Sequence, residues 1–315
     1  MADREHDDSE LLRSAVMAAI NGAAPERRIE VATLCSELEP YFARLADAPG
    51  FKLQAGAFSS ITLTQRTLDQ IWILGYIAWQ SLSAYAPLLM LTSGKADVGS
   101  AVLDTLPGQH AEEKAMAEGL RTVRHLSEVL DREHFEWPPH VPRPSPDGGR
   151  SQQEKAVADL NVIAAAYVFL HELHHLRCAK EARSFASVLD EELECDAFAR
   201  GFLLDAVDQY VRDSAEERSA VLSKRGAGIA LGCFILLHAT RRSAWAGSSS
   251  HPPLAKRLRV LAARVDVPDD ALHWRFLAAL LLAVLRQDGS LPSSVPADSW
   301  RDACLKLIGV VESVA

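Results

Sequence analysis

Apolar positions recur at helical spacing through most of this chain. Leu11 to Ile20 and Val31 to Leu45 carry them at intervals of three and four, so the first region reads as helix. The rhythm changes between Phe51 and Thr64. There Ser60-Ile61-Thr62-Leu63-Thr64 alternates polar and apolar residues, the period of short strands. From Gln70 to Gly94 charge disappears, and Ile71 to Leu91 is long enough to span a bilayer. Gln80, Ser81, Ser83 and Pro87 interrupt that stretch, and its flanks Asp69 and Lys95 show no basic bias, so the pattern predicts a buried helix.

The run from Trp137 to Gly149 holds five prolines and two glycines, which cannot continue a helix and give a stiff, extended connector. Beyond it the helical period returns over Gln153 to Cys178, Asp190 to Val211 and Ile229 to Ala239. Leu254 to Val265, Ala271 to Arg286 and Trp300 to Val314 follow, with Pro252-Pro253 and Pro268 marking helix starts. The chain therefore reads as mainly α, with at most a small β-sheet. Its expected organisation is a mostly helical N-terminal region (1–134), a linker (135–150), a core (151–265) and C-terminal helices (266–315).

Composition narrows the class. A chain of 315 residues can bury a core without covalent staples. Its five cysteines are scattered with no C-x-x-C spacing, which predicts reduced thiols and a cytoplasmic protein. A net charge of −9, with basic residues only in short clusters such as Arg241-Arg242 and Lys256-Arg257, argues against a nucleic-acid partner. The opening MADREHDDSE is polar and acidic, so no leader is expected there. None of these features speaks to oligomeric state.

The chemistry concentrates in His171-Glu172-Leu173-His174-His175, which matches H-E-x-x-H inside a predicted helix. Residues four apart share a helical face, so His171 and His175 can offer imidazoles to one metal ion. Glu172 sits about 100° around that helix, where its carboxylate can reach a water on the metal without ligating it. The preceding Ala164 to Leu170 is apolar, a costly setting for polar groups unless a metal compensates them.

A catalytic zinc takes three protein ligands and keeps one position open, so a third ligand is needed. The next predicted helix carries Glu192 and Asp196, again four apart. One of these carboxylates can bind the metal while the other accepts a hydrogen bond from a ligating imidazole's far nitrogen. Glu191 and Glu194 lack an Asp four residues on, which favours Glu192. His174 points about 100° away from His175 and reads as a partner behind the ligands or as packing, and Cys195 as a helical core thiol.

H-E-x-x-H followed by E-x-x-x-D resembles the gluzincin arrangement, with His171, His175 and Glu192 on zinc, Glu172 as the base and Asp196 behind a ligand. Ser250-His251-Pro252-Pro253-Leu254-Ala255-Lys256-Arg257 looks like a segment of HtpX-like and CAAX-prenyl-type peptidases. That likeness makes His251 and Arg257 candidate substrate or oxyanion contacts, with Tyr210 and His238 behind them. Thr67 to Tyr76, the proline-rich connector and the two metal motifs are together more similar to the Lit-type phage-exclusion peptidases. Their founding activity is cleavage of a translation elongation factor during phage infection. The resemblance implies a zincin-like helical metallopeptidase core, a Zn2+ cofactor, a narrow intracellular protein substrate and a role in phage defence. Two rival readings are a metal-binding regulatory protein without turnover, and an integral membrane peptidase using residues 71–91 as a span.

Overall fold

The computed structural model describes residues 2–91, 96–144, 151–239, 245–249 and 251–314. The end of the proline-rich connector (145–150), Lys95, Arg241, Arg242 and Ser250 lie outside them, as does the side chain of His238. The chain opens with α1 (Ala2–Ala23) and α2 (Arg28–Leu38), followed by strands β1 (Tyr41–Arg44), β2 (Leu53–Gly56) and β3 (Ser60–Leu63). The helix expected from Val31 to Leu45 thus stops early. Glu39 adopts a left-handed conformation at φ 46° that closes α2, and Pro40, lacking an N–H, cannot carry the helix on. The strands form a mixed sheet of order β1-β3-β2, with β1 parallel and β2 antiparallel to β3.

The charge-free segment becomes most of α3 (Gln65–Leu91), whose Ile73, Leu74, Ile77 and Tyr85 are fully buried. It packs on α5 (Gln109–Glu128), α6 (Gln152–Lys180), α9 (Arg218–Ala239) and α11 (Leu272–Asp288). Between α3 and α5 lie β4 (Ala96–Asp97) and the short α4 (Ser100–Leu103); β4 pairs with the distant β5 (Pro296–Ala297). Where it is described, the connector packs back on α3: Trp72 Nε1–H donates to Pro142 O at 2.6 Å, and Val141 is buried.

After α6 come α7 (Val188–Leu204), α8 (Val207–Ser214) and, past α9, α10 (Leu254–Arg264), with α12 (Trp300–Val314) closing the fold. The single helix expected from Asp190 to Val211 is two. α7 ends at Leu204, and the bend at Asp205-Ala206 lets both Leu204 and Val207 face the core. The architecture is mainly helical with one small sheet and a two-stranded pairing.

Helix α6 is the axis of the fold, packed by α1, α3, α7 and α9. A capping box fixes its start. Ser151 Oγ accepts from Glu154 N–H at 3.1 Å, and Glu154 Oε2 accepts from Ser151 N–H at 2.9 Å. Among the described residues it is the helix long and apolar enough to cross a membrane, and 61% of that apolar window is buried by the rest of the protein. α9 approaches it closely because Gly228 and Gly232 carry no Cβ. Added there, one would stand 2.4 Å from Ile163 Cγ2 and 2.9 Å from Tyr167 Cδ1.

Candidate metal centre

His171 and His175 lie one turn apart on α6, with their Nε2 atoms 3.1 Å from each other. A Ser187 cap, whose Oγ accepts from Asp190 N–H at 3.2 Å, starts α7 so that its first turns face them. Glu192 then stands with Oε2 3.6 Å from His171 Nε2 and Oε1 3.3 Å from His175 Nε2. These three donors cluster within 4.8 Å of one another. A tetrahedral zinc with bonds near 2.05 Å spaces its ligands by roughly 3.3 Å, so the arrangement fits such an ion.

The back of each imidazole is also held. His171 Nδ1 meets Asp196 Oδ1 at 3.0 Å, and His175 Nδ1 meets Glu191 Oε1 at 2.8 Å. A proton on each Nδ1 satisfies those carboxylates and leaves both Nε2 lone pairs facing each other and Glu192. Three electron-rich atoms converging on one point repel unless a cation sits there. The protonation tendencies agree. Burial opposes a charge on His175, but the bonds from Glu192 and Glu191 outweigh it and raise its pKa to about 9. His171 is raised in the same way, burial being overcome by Asp196 and Glu192. Burial would raise Glu192, yet its bonds to the two imidazoles hold it well below the usual carboxylate range.

Asp196 is a junction. Its Oδ1 also accepts from Tyr167 Oη–H at 3.0 Å and Arg257 Nη1–H at 3.0 Å. Arg257 reaches Glu192 Oε2 with Nη2 at 3.3 Å, so one buried guanidinium ties both α7 carboxylates together. Arg257 therefore works behind the donors, while also bordering the cleft.

Glu172 lies beside the donors on the wall of a cleft of about 830 Å³, lined on one side by β2 and on the other by Trp245, His251 and Pro252. Burial raises its pKa, with His171 and the N–H of Ala55 pulling the other way. That N–H donates to Glu172 Oε2 at 2.6 Å. His251 is exposed on the cleft rim. Tyr210 is elsewhere, donating to Glu216 Oε1 at 3.2 Å. His174 faces away from the donors and stacks on Phe198 with centroids 4.2 Å apart; burial lowers its pKa to about 4. Glu194 pairs with Arg183 at 3.2 Å, and Cys195 is buried outside the donor cluster.

Three partners escape a reading by motif alone. Glu191, weighed in sequence only as a rival ligand, instead holds His175. Tyr167 is four residues before His171 on the same face of α6, a spacing that signals their shared partner. Ala55 arrives from a strand more than a hundred residues away, and no local pattern announces it.

With this geometry in place, comparison with known proteins assigns the chain: it belongs to the peptidase U49 family, the Lit-type metallopeptidases, whose model matches residues 61–277. The matched span contains the three donors and the partners named above except Ala55, which precedes it. No curated protein and no solved structure matches the chain. Family membership makes the protein a peptidase, with proteins as its substrates.

Proposed function

We propose that this peptidase is a zinc-dependent endopeptidase of gluzincin type, whose ion would be held by His171, His175 and Glu192. The observation that carries the reading is the convergence of two Nε2 atoms and one carboxylate at 3.1–3.6 Å, each imidazole backed by its own acid. Two nitrogens and one oxygen are a donor set that suits zinc, and three protein ligands leave a position open for chemistry. When bound, zinc would polarise the scissile carbonyl and acidify water.

The chain's own residues do the rest. Glu172, on the cleft wall beside the donors, takes the proton of the attacking water and passes it to the leaving amine. Asp196 and Glu191 hold the imidazoles in the tautomer that presents Nε2. Arg257 fixes Glu192 and Asp196 relative to each other. Of the oxyanion candidates, His251 and Arg257 both border the cleft, and His251, exposed on its rim, is the one we assign to meet substrate. The exposed main-chain edge of β2 suits an extended peptide segment. The likeness to phage-exclusion peptidases extends the reading to a cytoplasmic protein substrate and a role in phage defence.

The test is Glu172→Gln. Zinc, measured by elemental analysis, is expected to stay near one per chain while turnover falls at least about 100-fold. Comparing the proteomes of cells expressing either form should then show cleavage fragments only with the native enzyme. Full activity in the variant refutes the assigned role of Glu172.

A further inference from the structure

The N–H of Ala55 points into the cleft, and Glu172 already accepts it at 2.6 Å. The strand ladder explains why that donor faces outward. Lys52 O accepts from Thr64 N–H on the inner side, and antiparallel pairing alternates residue by residue. Gln54 and Gly56 therefore turn toward β3, whereas Leu53 and Ala55 turn away from it. Because β2 is an outer strand of the sheet, those outward groups border the cleft that contains Glu172. An extended peptide laid along this edge needs the Ala55 N–H for one of its own carbonyls. One donor has two claimants.

We propose that the Ala55 amide is a positioning group that parks Glu172 against β2, and that a substrate segment becomes cleavable by pairing with β2 and taking this amide over. The inference rests on the reading of Glu172 as the base. A carboxylate held by a charge-assisted bond stays turned toward the strand for as long as the bond lasts. A peptide too short to extend from the reacting bond along Leu53 to Ala55 leaves it parked. A longer, extended segment replaces the carboxylate with its own carbonyl and frees Glu172 for the reacting water. Selectivity for unfolded length then arises from the main chain alone, whatever side chains the substrate presents.

Ala55→Pro removes the N–H while keeping the ladder, since a proline whose nitrogen faces outward is tolerated on an edge strand. The probes are randomised internally quenched peptides of four and of twelve residues, offered to zinc-loaded protein. Four-residue turnover is expected to rise about tenfold and twelve-residue turnover to change less, so that the long-to-short ratio falls about fivefold, the scale of the one neutral hydrogen bond that only the longer peptide makes. A merely loosened fold would lower both.

A second measurement needs neither catalysis nor metal. In zinc-free protein labelled with 15N-alanine, the Ala55 amide proton should resonate at low field and move upfield in Glu172→Ala. An amide indifferent to Glu172→Ala overturns the proposal, as does an Ala55→Pro protein whose ratio of long- to short-peptide turnover matches the wild type. If the amide responds while no form of the protein hydrolyses any peptide, the parking contact stands and the peptidase assignment of the site falls.

Discussion

Two buried arginines organise two charge clusters, and their difference separates structure from chemistry. Arg66 is fully enclosed. It pairs with Asp47 through Nε at 3.0 Å and through Nη2, and donates Nη1 to Leu126 O and Val129 O. Nearby, Arg132 pairs with Asp69 at 2.5 Å, giving two cations for two anions. Such a cluster is neutral and complete, and it ties the start of α3 to the end of α5. Arg257 is different. Beside it stand Glu192 and Asp196, with Glu191 and Glu172 close by on the cleft and the buried Arg200 near Tyr167. With both imidazoles neutral, as they are when they ligate, carboxylates outnumber guanidiniums beside this open cleft. A balanced buried cluster holds a fold together, whereas a surplus of carboxylates beside two imidazoles is what the proposed divalent ion would offset.

The comparison breaks most visibly at the ligands. Glu192→Ala should cost more than the roughly 100-fold in zinc affinity that losing an outer partner costs, and abolish turnover. Glu194→Ala, whose partner is Arg183, should keep its zinc. Elemental analysis after dialysis reads both, and the reverse pattern would move the third ligand.

The arginines themselves come next. Arg66→Met strands Asp47 and two carbonyls, and should destabilise the protein by about 3–5 kcal/mol in urea melts, equally with and without zinc. Arg257→Met should instead show a zinc-dependent cost, with metal affinity down about 10- to 100-fold. Equal zinc sensitivity in the two variants would erase the distinction.

Protonation sharpens it further. In zinc-free protein the pKa of His175 is raised from 6.5 to about 9, its bonds to Glu192 and Glu191 overcoming burial. A raised histidine contributes stability that is complete below pH 6.5 and lost as pH climbs through about 9, on the order of 3 kcal/mol. The depressed Glu192 reports the same interaction and is counted once. Ligated imidazole carries no such proton, so the zinc-loaded protein should stay flat across that window. Denaturant midpoints with and without chelator, taken between pH 6.5 and 8.5, measure the divergence.

The smallest effect belongs to Tyr167→Phe, which removes one of the donors to Asp196 Oδ1. The ring should stay in place, because Gly232 receives it closely. The expected loss is about tenfold in zinc affinity with little change in stability, measured by competition with a chromophoric chelator.

The metal motif was legible because it is local. Spacing of four puts His171 over His175, and Glu192 over Asp196, in any α-helix, so each pair shares a face before tertiary structure is known. The buried course of α3 was legible for a related reason: its polar interruptions and unbiased flanks did not describe a membrane span. The failures are informative too. Val31 to Leu45 shows helical apolar spacing throughout, yet Glu39 and Pro40 end the helix and the remainder enters a sheet, where pairing with β3 decides its conformation. Arg257 is a candidate substrate or oxyanion contact by sequence, and its bonds to Glu192 and Asp196 appear only when α10 is laid against α7.

The amino-acid sequence by itself determined what repeats at short range: the helices, the two pairs of residues four apart, and the excess of acid beside them. Tertiary structure alone decided what those pairs face. The 3.3 Å between Glu192 and His175, the guanidinium joining Glu192 to Asp196, and the Ala55 amide on Glu172 all join residues from separate elements. Helical periodicity fixes the direction of a side chain relative to its own axis. The distance to another element depends on packing between them, here on α6, α7, α10 and β2 closing around one cleft.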